Sequence, residues 1–130
     1  KFAQAASEAK LVSRDDLKEP RLADLLALND AAFRALFSGS PVKRIGRDRF
    51  IRNCLIAAGN SGDPALVSPS KALLADVSPL VRGAAVWAMS RLVDKSEFAK
   101  LAEMVSDADQ GVMSEWRSAV ATIQNEAMNP

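Results

Sequence analysis

Asp76–Ala88 reads DVSPLVRGAAVWA, and the architecture of the chain follows from how this stretch repeats. Ser78-Pro79 is a helix start, because a serine side chain can cap the first free N–H groups and proline is tolerated at the first helical position. From there the helix is expected to run to about Leu92. Gly83, Ala84, Ala85 and Ala88 are small enough to let neighbouring helices approach closely, while Val81 and Leu92 supply apolar bulk. The pattern recurs at an offset of 31 residues in both directions: Phe50, Val81 and Val112 fall in register, as do Cys54, Ala85 and Trp116, and Ala57, Ala88 and Ala119. The intervening segments keep the same offset, with Val67 on Phe98, Leu73 on Met104, Leu74 on Val105 and Asp76 on Asp107. Such a period is the mark of a helical-hairpin repeat.

The punctuation around each unit agrees. Asp63-Pro64 starts a helix to about Ala75, Asp94 with Glu97 resembles a capping box for a helix to about Ser106, and Asp109 begins a last helix to about Ala127. Antiparallel pairing is expected of 64–75 with 79–92 and of 95–106 with 110–127. Nothing alternates with period two over a useful length, so the class is all-α. Asp76–Ala88 resembles the second helix of a HEAT repeat, in which aspartate, proline, valine, arginine and alanine recur at these spacings. The fold expected is a HEAT-like α-α superhelix with five to six main helices over 20–130. Within it, Arg82 is expected to pair with Asp76 or Asp107 across a repeat junction.

Upstream, Lys1–Lys10 is alanine-rich and polar, and 1–19 reads as a connector. Leu22, Leu25, Leu26 and Leu28 suit one short amphipathic helix. Asn29 or Asp30 can cap a second that carries Ala32, Phe33, Leu36 and Phe37 at helical spacing. Cys54 occupies a core position as a small hydrophobe, and Met89, Met104 and Met113 read as core filler. Trp87 and Trp116 fit burial between helices, although an aromatic beside arginines can also stack on an unpaired base.

The chemistry-bearing stretch is Gly39–Asp63, GSPVKRIGRDRFIRNCLIAAGNSGD. Lys43, Arg44, Arg47, Arg49 and Arg52 stand within ten residues against a single acid, Asp48, a local charge of +4 in a chain whose total is +1. A concentrated cation patch on a slightly acidic body suits a polyanion, of which nucleic acid is the commonest. Gly46 is the last breaker before a helix expected to end at Gly59, with 60–63 as the turn. On a helical wheel Phe50, Ile51, Cys54, Ala57 and Ala58 share one face, and Arg49 and Arg52 lie on the other. Arg47 and Arg49 fall in the first turn, where the helix dipole disfavours cations, so helix stability alone would have chosen acids there.

Composition narrows the chemistry. At 130 residues, 48% hydrophobic and 25% charged, the chain fits one modest domain. There is no histidine and one cysteine, so the usual general base, the usual zinc ligand and any cysteine-built cluster are missing from this sequence. No apolar run reaches the roughly 18 residues of a membrane span and no signal peptide is evident, so no membrane contact and a cytoplasmic location are expected.

In order, Phe33–Asn53 (FRALFSGSPVKRIGRDRFIRN), Gly59–Asp63 (GNSGD) and Ser78–Ala88 (SPLVRGAAVWA) resemble the C-terminal region of the epoxyqueuosine reductases. The likeness covers about residues 20 to 93 well and the remainder loosely. It implies a C-terminal, HEAT-like accessory domain of an iron–sulfur oxidoreductase that reduces epoxyqueuosine to queuosine at the tRNA wobble position. By the same resemblance the parent enzyme carries two [4Fe-4S] clusters and cobalamin, held by an upstream catalytic domain of the same polypeptide. The partner implied is tRNA, at its anticodon region, with Lys43, Arg44, Arg47, Arg49 and Arg52 on phosphates. Cys54 departs from the family, where an aliphatic residue is expected. The competing expectation is a protein-interaction solenoid that binds no nucleic acid.

Overall fold

A helical stack forms because each hairpin leaves one apolar face that only its neighbours can cover. The computed structural model describes residues 21–128, with side chains to 126, so the connector expected over 1–19 lies outside the described residues. Seven α-helices follow in order: α1 (Leu22–Leu26), α2 (Asp30–Leu36), α3 (Arg47–Ser61), α4 (Val67–Ala72), α5 (Pro79–Leu92), α6 (Lys95–Glu103) and α7 (Gln110–Met128). Short 3-10 turns occupy Pro41–Ile45, Pro64–Leu66 and Leu73–Ala75, and no strand occurs among the described residues. The most extensive packing is α3 on α5 and then α5 on α7, so the three helices related by the 31-residue offset stack in series.

Side-chain caps set the boundaries. Asn29 Oδ1 accepts from the Ala32 N–H at 2.8 Å, Ser78 Oγ from Val81 at 3.3 Å, Asp94 Oδ1 from Glu97 at 2.8 Å and Asp109 Oδ1 from Val112 at 3.0 Å. Of the two candidates before α2, Asn29 is the cap. The helix expected over 64–75 is instead a short α-helix between two 3-10 turns. Pro69, inside α4, has no N–H to return to a carbonyl four residues back, and this interrupts the α-ladder. The α3 helix runs past Gly59 to Ser61 and ends on Gly62, whose φ of 66° supplies the left-handed stop.

Two cores result. The first centres on Phe33, Phe37 and Phe50, whose ring centroids lie 5.0 to 5.4 Å apart, with Ile51, Cys54, Leu55 and Ala58 of α3 against Val81, Ala85 and Ala88 of α5. The second comprises Val86, Met89, Phe98, Val112 and Trp116, with Phe98 stacked on Trp116 at 5.1 Å. Met104 belongs to neither. It is 85% exposed in the loosened turn after α6, which corrects its expected role as core filler.

Gly59 is not a terminator but a point of close approach between α3 and α5. A Cβ there would stand 2.5 Å from Cζ3 of Trp87 and 3.2 Å from Cα of Ala88. Gly59→Ala would ordinarily gain about 1 kcal/mol in a helix interior, but overpacking costs about 1 to 3 kcal/mol. The expected outcome is a net loss of about 1 to 2 kcal/mol in urea unfolding, since Ala88 presents backbone that cannot yield cheaply.

A second outcome follows from Cys54, which is fully buried and whose thiol is pushed up to about 12 by that burial. Native protein should resist thiol reagents, and Cys54→Ser should cost about 1 to 3 kcal/mol for an uncompensated buried hydroxyl. An unchanged melting temperature with rapid labelling would contradict the packing.

Candidate nucleic-acid interface

The cationic stretch divides into groups that face solvent and one that does not. Lys43 and Arg44 lie on the 3-10 turn before α3, Arg49 in the first turn of α3, and all three are exposed. None of them makes an ion pair among the described residues. Lys43 and Arg44 line a shallow hollow of about 520 Å³ with Gly39, Ser40 and Pro41. Arg52, one turn further along α3, is half-buried and, among the described residues, donates only a long 3.4 Å bond to Asn53 Oδ1.

Arg47 departs from the expectation. Its side chain is 10% exposed and its guanidinium donors are engaged within the fold. Nε donates to the Leu28 carbonyl at 2.9 Å, Nη1 to Asp48 at 3.1 Å and to Asp76 Oδ2 at 2.9 Å, and Nη2 to Asp76 Oδ1 at 2.9 Å. The bidentate Asp76 contact raises the Arg47 pKa further above its ordinary value. Arg47 is therefore a joint of the scaffold and leaves the set of phosphate candidates. Sequence spacing could not separate it from Arg49, because its partner Asp76 stands 29 residues away.

Asp76 answers both Arg47 and the next helix start. Burial pushes its carboxyl up, but hydrogen bonds from Arg47 and from the Ser78 N–H outweigh that and hold it below the ordinary value. Arg82 makes the equivalent joint one repeat later. It donates to Asp107 at 2.8 and 3.1 Å and to the carbonyls of Asp76 and Val77, as the sequence led one to expect. Asp107 in turn accepts from the Asp109 N–H at 2.9 Å, and Arg82 is the main cause that holds its carboxyl below the ordinary value.

A second surface feature, absent from the sequence reading, is an open hollow of about 690 Å³ across α3, α5 and α7. Ile56 and Leu80, 41% and 42% exposed, wall it with Ala84 and Trp87, and Arg52, Asp109 and Glu115 bring charge to its lining. Trp116 is buried as expected, whereas Trp87 is only partly so and lines this hollow and a smaller one with Arg91. No group of acids and cysteines that could hold a metal occurs among the described residues, and no helix there is long and apolar enough to cross a membrane. A single cysteine cannot furnish the thiolates of a [4Fe-4S] cluster, so this chain does not fit that cofactor.

The chain is similar to curated epoxyqueuosine reductases. It is 35% identical to that of Alicycliphilus denitrificans over 99 residues, covering 70% of this chain and 28% of that protein. It is 34% identical to that of Xanthomonas campestris over 92 residues, 70% and 26% of the two, and 25% identical to that of Escherichia coli over 95 residues, 73% and 25%. The chain thus spans about a quarter of the length of these relatives. A crystal structure of epoxyqueuosine reductase with a tRNA-Tyr epoxyqueuosine-modified tRNA stem loop shares the fold, with a TM-score of 0.69 at 23% identity over 84% of this chain and 30% of that one. No family model matches the sequence.

The pair of Arg47 with Asp76 carries a stability prediction. Both side chains are about nine-tenths covered, so Arg47→Ala should cost about 2 to 4 kcal/mol, between exposed and buried ion pairs. Because the folded carboxyl of Asp76 titrates low, this contribution is present above the ordinary aspartate pKa and is lost as pH falls through the folded value. Urea unfolding of the wild type and Arg47→Ala should therefore differ near neutral pH and converge in strong acid.

Proposed function

We propose that this chain, related to the epoxyqueuosine reductases over one segment of their length, is the C-terminal tRNA-binding domain of an iron–sulfur oxidoreductase acting in queuosine modification of tRNA. The 1–19 stretch then connects it to an upstream catalytic domain of the same polypeptide, which would hold the [4Fe-4S] clusters and cobalamin. The observation that carries the RNA reading is the exposure of Lys43, Arg44 and Arg49 with no carboxylate partner among the described residues. Arg49 is the most telling of these. It sits in the first turn of α3, where the dipole works against a cation, and no ion pair or hydrogen bond of its side chain among the described residues explains it.

Lys43, Arg44, Arg49 and Arg52 would hold backbone phosphates at the anticodon region and fix the register of the RNA without reading its bases. A protein-interaction solenoid is the alternative, and the exposed Ile56 and Leu80 are the observation in its favour. Salt separates the two, because phosphate contacts weaken steeply with ionic strength and apolar contacts do not.

The test compares Arg44→Ala and Arg49→Ala with Arg47→Ala in tRNA binding across a salt series. Each of the first two should lower the slope of log affinity against log salt by up to about one while leaving the unfolding midpoint unmoved. Arg47→Ala should show the opposite pattern, a lower midpoint and an unchanged slope. Salt slopes that none of the exposed-cation variants alter would remove the RNA reading.

A further inference from the structure

We propose that the hollow between α3, α5 and α7 receives an unstacked nucleobase of the same bound RNA, with Trp87 as its stacking partner. This deepens the phosphate-binding reading and rests on it. Three observations converge on the hollow. Arg52 both belongs to the cationic stretch and lines the hollow, so a strand held by its phosphates along α3 passes the opening. Trp87 is half-buried where its repeat context led one to expect a core residue, and it lines both this hollow and the smaller one. Arg91 lies with its guanidinium 6.0 Å from the Trp87 ring centroid in that second hollow, while Arg52 contributes a cation to the lining of the first.

An indole common to both hollows, with a cation in the lining of each, suits a single strand, whose bases stack on aromatics while its phosphates meet cations. The volume of about 690 Å³ admits a nucleoside, and small residues at Gly83 and Ala84 keep the lining low. Asp109 and Glu115, also in the lining, repel phosphate but suit a base. Asp109 is committed to capping the Val112 N–H, which leaves the exposed Glu115 carboxylate to accept from an exocyclic amino group such as N4 of cytosine. A mixed lining of this kind is poor for continuous backbone and good for one everted base.

Oligocytidylate and inorganic polyphosphate, titrated into the wild-type chain with tryptophan emission as the readout, test this. Trp116 is 4% exposed and serves as a constant background to Trp87. Oligocytidylate should quench the emission and polyphosphate should not, although both bind in a salt-dependent way. Trp87→Ala should weaken oligocytidylate binding by about 5- to 150-fold, the range for loss of one stacked base, and leave polyphosphate binding unchanged. The polyphosphate arm also guards against a variant that has merely unfolded, and the wild-type quench stands independently of it. RNA binding with full salt dependence and no quench would overturn the base pocket, keep the phosphate patch and leave the hollow to a polypeptide segment. Failure of both ligands to bind would overturn the patch and the pocket together.

Discussion

An arginine that reaches from one helical hairpin into the loop before the next hairpin's second helix is the contact on which this stack depends. The loop aspartate does two things at once: Asp76 and Asp107 each accept an N–H two residues on, fixing the helix start, and each receives an arginine from the preceding unit. Because the carboxylate is already oriented by its own backbone, the arginine meets a preorganised acceptor and loses less side-chain freedom in pairing. The two joints are not superposable. Arg82 stands in the first turn of α5 one residue after the bond that closes the cap, whereas Arg47 is the first residue of α3 and also grips the Leu28 carbonyl. The extra grip ties α1, α3 and the start of α5 into one corner, beside which Lys43, Arg44 and Arg49 are displayed.

Much of this was legible in the sequence, for a physical reason. The 31-residue offset reports burial at the centres of the second helices: Phe50, Val81 and Val112 are all covered, as are Cys54, Ala85 and Trp116. Caps were legible because Ser78, Asp94 and Asp109 act within three residues of themselves. The failures are of two kinds. Met104 inherits a core register from Leu73 but lies where the helix has already loosened. Arg47 and Arg49 are two residues apart with the same local signature, and only the folded position of Asp76 distinguishes them. Gly59 misled in a similar way, since a glycine near a helix end marks a stop or a close approach equally well, and here the partner that decides is Trp87.

The open hollow was not legible at all. It is built from Gly83 and Ala84, which the sequence explains as spacers, and from Ile56 and Leu80, which belong to no apolar face the sequence singles out. Its existence depends on the spacing of three stacked helices, a quantity no local pattern encodes. Trp87 stands against Gly59 where α3 and α5 come close, and the same indole lines the hollow, so one side chain takes part in both packing and surface shape.

The division of the interior into two cores has a bearing on how the molecule moves. Helix α5 sends Val81, Ala85 and Ala88 into the first core and Val86 and Met89 into the second, and it is the only helix among the described residues with fully buried side chains in both. The α6–α7 hairpin owes most of its burial to that second, smaller cluster, so it can detach as a cooperative unit while the phenylalanine cluster stays closed. Amide exchange should then run on two clocks, with α6 and α7 opening at lower free energy than α3 and α5. The outer hairpin is in this sense a hinged leaf carried on a stiffer spine.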